Sequence, residues 1–239
     1  RKAERQALNA RAKQVTQLLG RPRELDVMLQ ELEAWRGTAP PEQRPALGHA
    51  RARLRAARRR CGNRCAEAAA LAQGADFAEA TWDLFRAWDE GALKPRRLAR
   101  RDVAHGIDAL WDAYDTWRAQ PEDEALHQVR IATKKLRYAA ELHAPLLGGA
   151  LDEFIAALKG LQDDLGGWND YRVLCAELEA VAGRAPAHLA ESYAALHRAL
   201  AAHAQTCHDQ FEVHAPAVLD RAHHDDLLAR MGKKAKSKQ

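Results

Sequence analysis

The chain has 239 residues, with 37 Lys+Arg against 33 Asp+Glu for a formal charge of +4, and it is 47% hydrophobic with only 6% aromatic residues. Its four cysteines, Cys61, Cys65, Cys175 and Cys207, lack disulfide-framework spacing, and no apolar run approaches the roughly 18 residues of a membrane span. These features exclude a disulfide-stapled scaffold and a spanning helix, and with no signal-peptide pattern the expected compartment is the cytoplasm.

Apolar residues recur at intervals of three and four between clusters of Gly and Pro. Helices are therefore predicted near 3–19, 24–37, 42–72, 76–90, 97–118, 122–144, 150–165, 170–182, 187–213 and 217–230. The first two meet at Gly20, inside an internal repeat: Leu19 to Glu33 aligns without a gap on Leu165 to Glu179, at an offset of 146 residues. Leu, Gly, Val and the closing Glu-Leu-Glu coincide, and Lys13 falls on Lys159. Gly20 and Gly166 are expected at helix C-termini with positive φ, and Asn169 and Asp170 at the next N-cap. The repeat predicts two similar helical halves, 1–120 and 121–231, followed by a disordered basic tail at 232–239. The chain opens on Arg1, and the first half's counterpart of helix 122–144 is expected to precede it.

Residues 49–64 hold seven arginines and no acid. Arg51, Arg55, Arg58 and Arg59 fall on one side of that helix and Arg53, Arg60 and Arg64 on another, with Leu54, Ala57, Cys61 and Cys65 between them. A solvated face is the ordinary reading of such a run, and its lack of a local acid supports a phosphate role for the first cluster equally. Trp82, Phe85 and Trp88, like Trp111, Tyr114 and Trp117, step by three and are expected in the core.

Helix 122–144 is the most informative. His127, Arg130, Lys134, Arg137 and Glu141 share one side, with Lys135 next to them; Val129, Ala132, Leu136 and Ala140 lie nearly opposite. Ile131, Tyr138 and Leu142 form a second apolar strip, so the cations are expected in a groove or cavity that needs an anion. Glu141 is expected to pair with Arg137, four residues earlier; Tyr138 has a hydroxyl to donate to a phosphate, while its apolar strip favours packing. Farther on, His197, His203, His208 and His214 are five or six residues apart and do not share a face, and His203 with Cys207 is an i, i+4 pair. No metal site is expected. A Gly-rich phosphate loop, a nucleophile elbow and a His-Glu-x-x-His motif are all missing from the sequence, so no catalytic residue and no cofactor are expected.

The run from His127 to Glu141, followed by Lys159-Gly160-Leu161-Gln162-Asp163-Asp164-Leu165-Gly166-Gly167-Trp168-Asn169-Asp170, resembles the conserved histidine α-helical domain, CHAD. His127 matches the family's name-giving histidine. Arg23-Glu24-Leu25-Asp26-Val27 is similar to the family's first-half motif, with Glu24 where Asp is more usual. The resemblance covers most of residues 1–230, without the first-half histidine helix. It implies an all-α fold of two four-helix bundles related by pseudo-two-fold symmetry, with a basic pocket or channel between them that binds inorganic polyphosphate. It further implies polyphosphate granules or a triphosphate-tunnel (CYTH) enzyme as associates; the tunnel's own Glu-x-Glu-x-Lys signature is not in this chain.

Polyphosphate presents a row of charges without bases or sugars, so it calls for many cations and no stacking platform. The expected binding set is His127, Arg130, Lys134, Lys135, Arg137, Tyr138, Lys159 and Arg172, with Lys13, Arg23, Arg51, Arg55, Arg58 and Arg59 from the first half. Two rivals use the same cations. A nucleic-acid binder would interleave aromatics, and only Tyr138 borders the basic stretches. A phosphohydrolase would cluster carboxylates for Mg²⁺, and the basic helix offers only Glu141.

Overall fold

The computed structural model describes residues 2–73, 78–79, 81–82, 95–147, 149 and 151–232. Among these, eight helices have both ends defined: α1 (Lys2–Arg36), α2 (Arg44–Arg60), α3 (Gly62–Gln73), α4 (Pro95–Ala119), α5 (Asp123–Leu147), α6 (Asp152–Ala182), α7 (Ala190–Val218) and α8 (Arg221–Gly232). Short 3-10 turns precede α2 at Pro41–Gln43 and α7 at Ala187–Leu189. No strand occurs among the described residues, and the fold is all-α. The expected helix at 76–90, with Phe85 and Trp88, and the tail beyond Gly232 fall largely or wholly outside the described residues. Trp82 is 66% exposed and is not a core residue.

Two expected breaks are absent. Gly20 lies inside α1, which also runs through Pro22, and Gly166 lies inside α6. Among the described residues the positive-φ glycine is Gly149 (φ 75), in the turn between α5 and α6. The reason is legible in burial. Along α6, Leu158, Leu161, Leu165, Trp168, Tyr171, Leu174 and Leu178 are all buried, so the three-four apolar stripe continues straight across the two glycines. Gly167 has its own packing reason, because a Cβ there would lie 2.8 Å from Cys207 Sγ. Asn169 and Asp170 are consequently mid-helix residues, not an N-cap. Conversely, the expected 42–72 helix divides at Cys61, whose φ and ψ of −83° and 1° end α2.

The chain forms two compact units, and they are interleaved: Arg1–Ala92 with Asp170–Ala201, and Leu93–Asn169 with Ala202–Gln239. This differs from the expected division at residue 120, because α6 and α7 each supply residues to both units. In the first unit α1 packs on α2 and α3. Leu25, Met28 and Leu32 of α1, Leu47 and Leu54 of α2, and Leu174, Leu178, Leu196 and Leu200 from the later segment are buried there. Polar ties join the segments: Tyr171 Oη donates to Glu31 (2.7 Å), Arg21 pairs with Glu177 (2.8 Å), and Ser192 Oγ accepts from the Ala46 N–H (3.0 Å).

In the second unit α4 and α5 form an antiparallel hairpin connected at 120–122 and packed tightly at Gly106, where an added Cβ would come within 2.8 Å of Leu136 Cδ1. Val103, Ile107 and Leu110 of α4, Leu126, Val129 and Leu136 of α5, Leu158, Leu161 and Leu165 of α6, and Phe211 of α7 share one core. Tyr114 and Trp117 are buried in it and Trp111 packs against it, as their spacing predicted.

Candidate anion-binding site

Helix α5 starts with Asp123 and Glu124 in its first turn, where acids suit the positive end of the helix dipole. Its apolar side forms as predicted: Val129, Leu136 and Ala140 are buried at 0–1% exposure. The other apolar strip does not. Tyr138 is 49% exposed and Leu142 73% exposed, so the cations have packing on one side and an open apolar strip on the other. Tyr138 was expected to pack; its ring instead lies under Arg137, whose Cζ is 4.4 Å from the centroid, with Lys134 Nζ at 5.8 Å.

Two side-chain hydrogen bonds fix the basic side of α5 to α6. His127 Nδ1 donates to Asn169 Oδ1 at 3.2 Å, and Arg137 Nε donates to Gln162 Oε1 at 2.7 Å. Both acceptors are neutral amides, which orient the ring and the guanidinium without cancelling charge. Arg137 also pairs with Glu141, as predicted, and only 14% of its side chain is exposed. Arg130 is half-buried between these two bonds, and Lys134 and Lys135 are exposed. Lys159, on α6, is exposed three residues before Gln162. Gln162 stands in the motif from Lys159 to Asp170, but no role was expected of it. Its signal was present, since Lys159, Gln162, Gly166 and Asn169 follow the i, i+3, i+7, i+10 spacing of one helix face.

The remaining candidates lie in the other unit. Lys13 and Arg23 are exposed on α1, and Arg172 is half-buried on α6. On α2 the absence of local acid is offset in three dimensions. Arg51 pairs with Glu33 of α1, Arg55 Nη2 lies 3.7 Å from the same carboxylate, and Arg58 Nε is 2.7 Å from Asp26. The hydrogen bond to Asp26 pushes the Arg58 pKa upward. Arg59 is exposed. The cluster expected to await an external anion thus already has two carboxylates of its own.

Among the described residues, the metal-ligating side chains that come together are His208, Asp209 and Glu212 on α7, with ligand atoms within 4.8 Å of one another. They do not include the His203–Cys207 pair. Gln205 donates to Asp209 at 2.7 Å, and both carboxylates are exposed. No helix among the described residues is long and apolar enough to cross a membrane.

A family model of the CHAD domain matches residues 1–179. The chain belongs to the CHAD family. The match takes in all of α1 to α5 and nearly all of α6, so the amide-anchored basic side of α5 lies within the CHAD domain, whereas α7 and α8 lie beyond the matched residues. No curated protein matches this CHAD chain.

Proposed function

We propose that this CHAD protein binds inorganic polyphosphate along the basic side of α5 and does not hydrolyse it. The observation that carries the reading is the pair of neutral amide anchors: Asn169 and Gln162 orient His127 and Arg137 on one side of α5, and Glu141 is the acid that Arg137 meets there. Arg130 and Lys134 lie on the same side, and Arg supplies planar forks where Lys supplies a point charge for phosphate oxygens. His127 uses Nδ1 for Asn169, which directs Nε2 away from that bond.

Arg130→Glu with Lys134→Glu tests the reading. Polyphosphate binding by calorimetry should be abolished while the helical circular dichroism and melting temperature stay close to those of the unaltered chain. Unchanged affinity removes the main support. Incubation with polyphosphate should release no phosphate above a protein-free blank, and release that depends on Glu141 would replace binding with hydrolysis.

One observation favours a second reading, single-stranded nucleic acid: the exposed ring of Tyr138 beside Lys134 and Arg137. Arg137 covers part of that ring, which leaves less of it for a base. Competition between polyphosphate and RNA of equal charge separates the two, and polyphosphate should displace RNA. In the cell, such a module serves granule targeting or recruitment of a triphosphate-tunnel enzyme.

A further inference from the structure

Glycine inside a helix is disfavoured relative to alanine, so each one invites a reason. Gly167 meets Cys207 Sγ and Gly106 meets Leu136 Cδ1, each at 2.8 Å from a notional Cβ, and Gly149 has positive φ. Gly166 has none of these reasons, and neither have Gly20, Gly48, Gly62 and Gly160, so position must distinguish it. It lies inside α6 with helical φ, is half-buried, and nothing stands within 4 Å of where its Cβ would be.

Its position is telling. Gly166 comes four residues after Gln162 and three before Asn169, on the same side of α6 as both. It therefore lies between the residue that holds Arg137 and the residue that holds His127. On α5, Arg130 and Lys134 occupy the matching interval between His127 and Arg137. The two hydrogen bonds are rungs joining antiparallel helices. They bound a window with two cations on its α5 side and Gly166 on its α6 side, where Asp163 and Asp170 lie about 60° and about 40° around the axis from the glycine. Lys159, seven residues before Gly166 on that face, stands beyond the rung made by Gln162.

We infer that Gly166 is bare so that one phosphate group of the chain seats against the α6 backbone inside this window, facing Arg130 and Lys134. The inference rests on the polyphosphate reading above and deepens it. It makes the α6 side of the site a steric requirement, separate from the charge on α5. An unsubstituted phosphate presents only oxygens, and a methyl at Gly166 would occupy part of the open space it needs beside the helix. Polyphosphate affinity is then sensitive to a single methyl group that carries no charge.

The experiment compares Gly166→Ala with Gly160→Ala in the full chain by calorimetric titration with inorganic polyphosphate and by thermal melts. Gly160 is exposed in the same helix, also has nothing within 4 Å of its notional Cβ, and lies about 120° around the axis from Gly166. Both variants should melt at or above the temperature of the unaltered chain, because alanine favours helix. Gly160→Ala should bind as before, and Gly166→Ala about tenfold or more weakly. Equal affinity for Gly166→Ala overturns the inference and leaves the polyphosphate reading standing. Equal losses in both variants, or a lowered melting temperature for Gly166→Ala, also overturn it, since the effect then comes from the helix and not from the window. If the unaltered chain does not bind polyphosphate, both readings fall.

Discussion

His224 shows how one residue couples proton binding to folding. It is 2% exposed, accepts from Trp111 Nε1 at its Nδ1 (2.8 Å), and donates from Nε2 to the Val218 carbonyl (3.0 Å). Indole N–H only donates, so the ring is neutral and a second proton would set N–H against N–H. Burial accordingly lowers the pKa from its ordinary 6.5, although the Val218 hydrogen bond and the nearby Asp220 and Asp225 oppose it. A folded pKa below the unfolded one means that the unfolded chain binds more protons as the pH falls. The contribution is complete above about pH 6.5 and declines below it. Urea melts should show His224→Phe less stable than the unaltered chain at pH 7.5, with the gap narrowing by pH 5.5; a gap that does not change with pH counts against this account. Leu136, 1% exposed against Gly106, illustrates the apolar counterpart: Leu136→Ala should cost about 3 kcal/mol in the same assay. Cys175 is a third case. Burial first, then Glu179, pushes its thiol up to about 11, so alkylation at pH 8 should spare it in the folded protein.

At the scale of elements, α5 and α2 read alike in sequence and differ in structure. Both carry cations at helical spacing. On α5 His127 and Arg137 are anchored by amides of α6, with Glu141 beside Arg137, and on α2 the arginines meet carboxylates of α1. Spacing within one helix reports which side chains share a face and nothing about which residues another helix brings to that face. The side chain of Arg51 is only 12% exposed and pairs with Glu33. Arg51→Met should therefore lower the melting temperature while polyphosphate affinity stays within about twofold. A large loss of affinity with an unchanged melt would return α2 to the binding surface. The limits of local reading are equally clear in α1 and α6. Gly20, Pro22 and Gly166 are breakers by propensity, yet helices run through all three, because an uninterrupted apolar stripe outweighs the cost of a weak position.

For the whole molecule, the interleaving of the units has a direct consequence. The first unit needs residues 170–201, which supply the buried Tyr171, Leu174, Leu178, Leu189, Tyr193, Leu196 and Leu200. A fragment of residues 1–120 lacks all of them and should be protease-sensitive with no cooperative melt; a cooperative transition in that fragment would show that contiguous halves fold alone. Binding by several cations also releases counterions, so affinity for polyphosphate should drop about a hundredfold between roughly 50 and 200 mM salt if five are displaced.

The helical class, the apolar side of α5, its basic side with the Arg137–Glu141 pair and the CHAD motifs are all set by spacing and residue order along the chain, and the sequence alone determined them. Tertiary structure decided the rest: that Asn169 and Gln162 anchor His127 and Arg137, that α1 carboxylates occupy the α2 arginines, that Tyr138 and Leu142 are exposed, and that the units interleave. Each of those depends on contacts between residues far apart in the chain, and periodicity along a single helix carries no information about them.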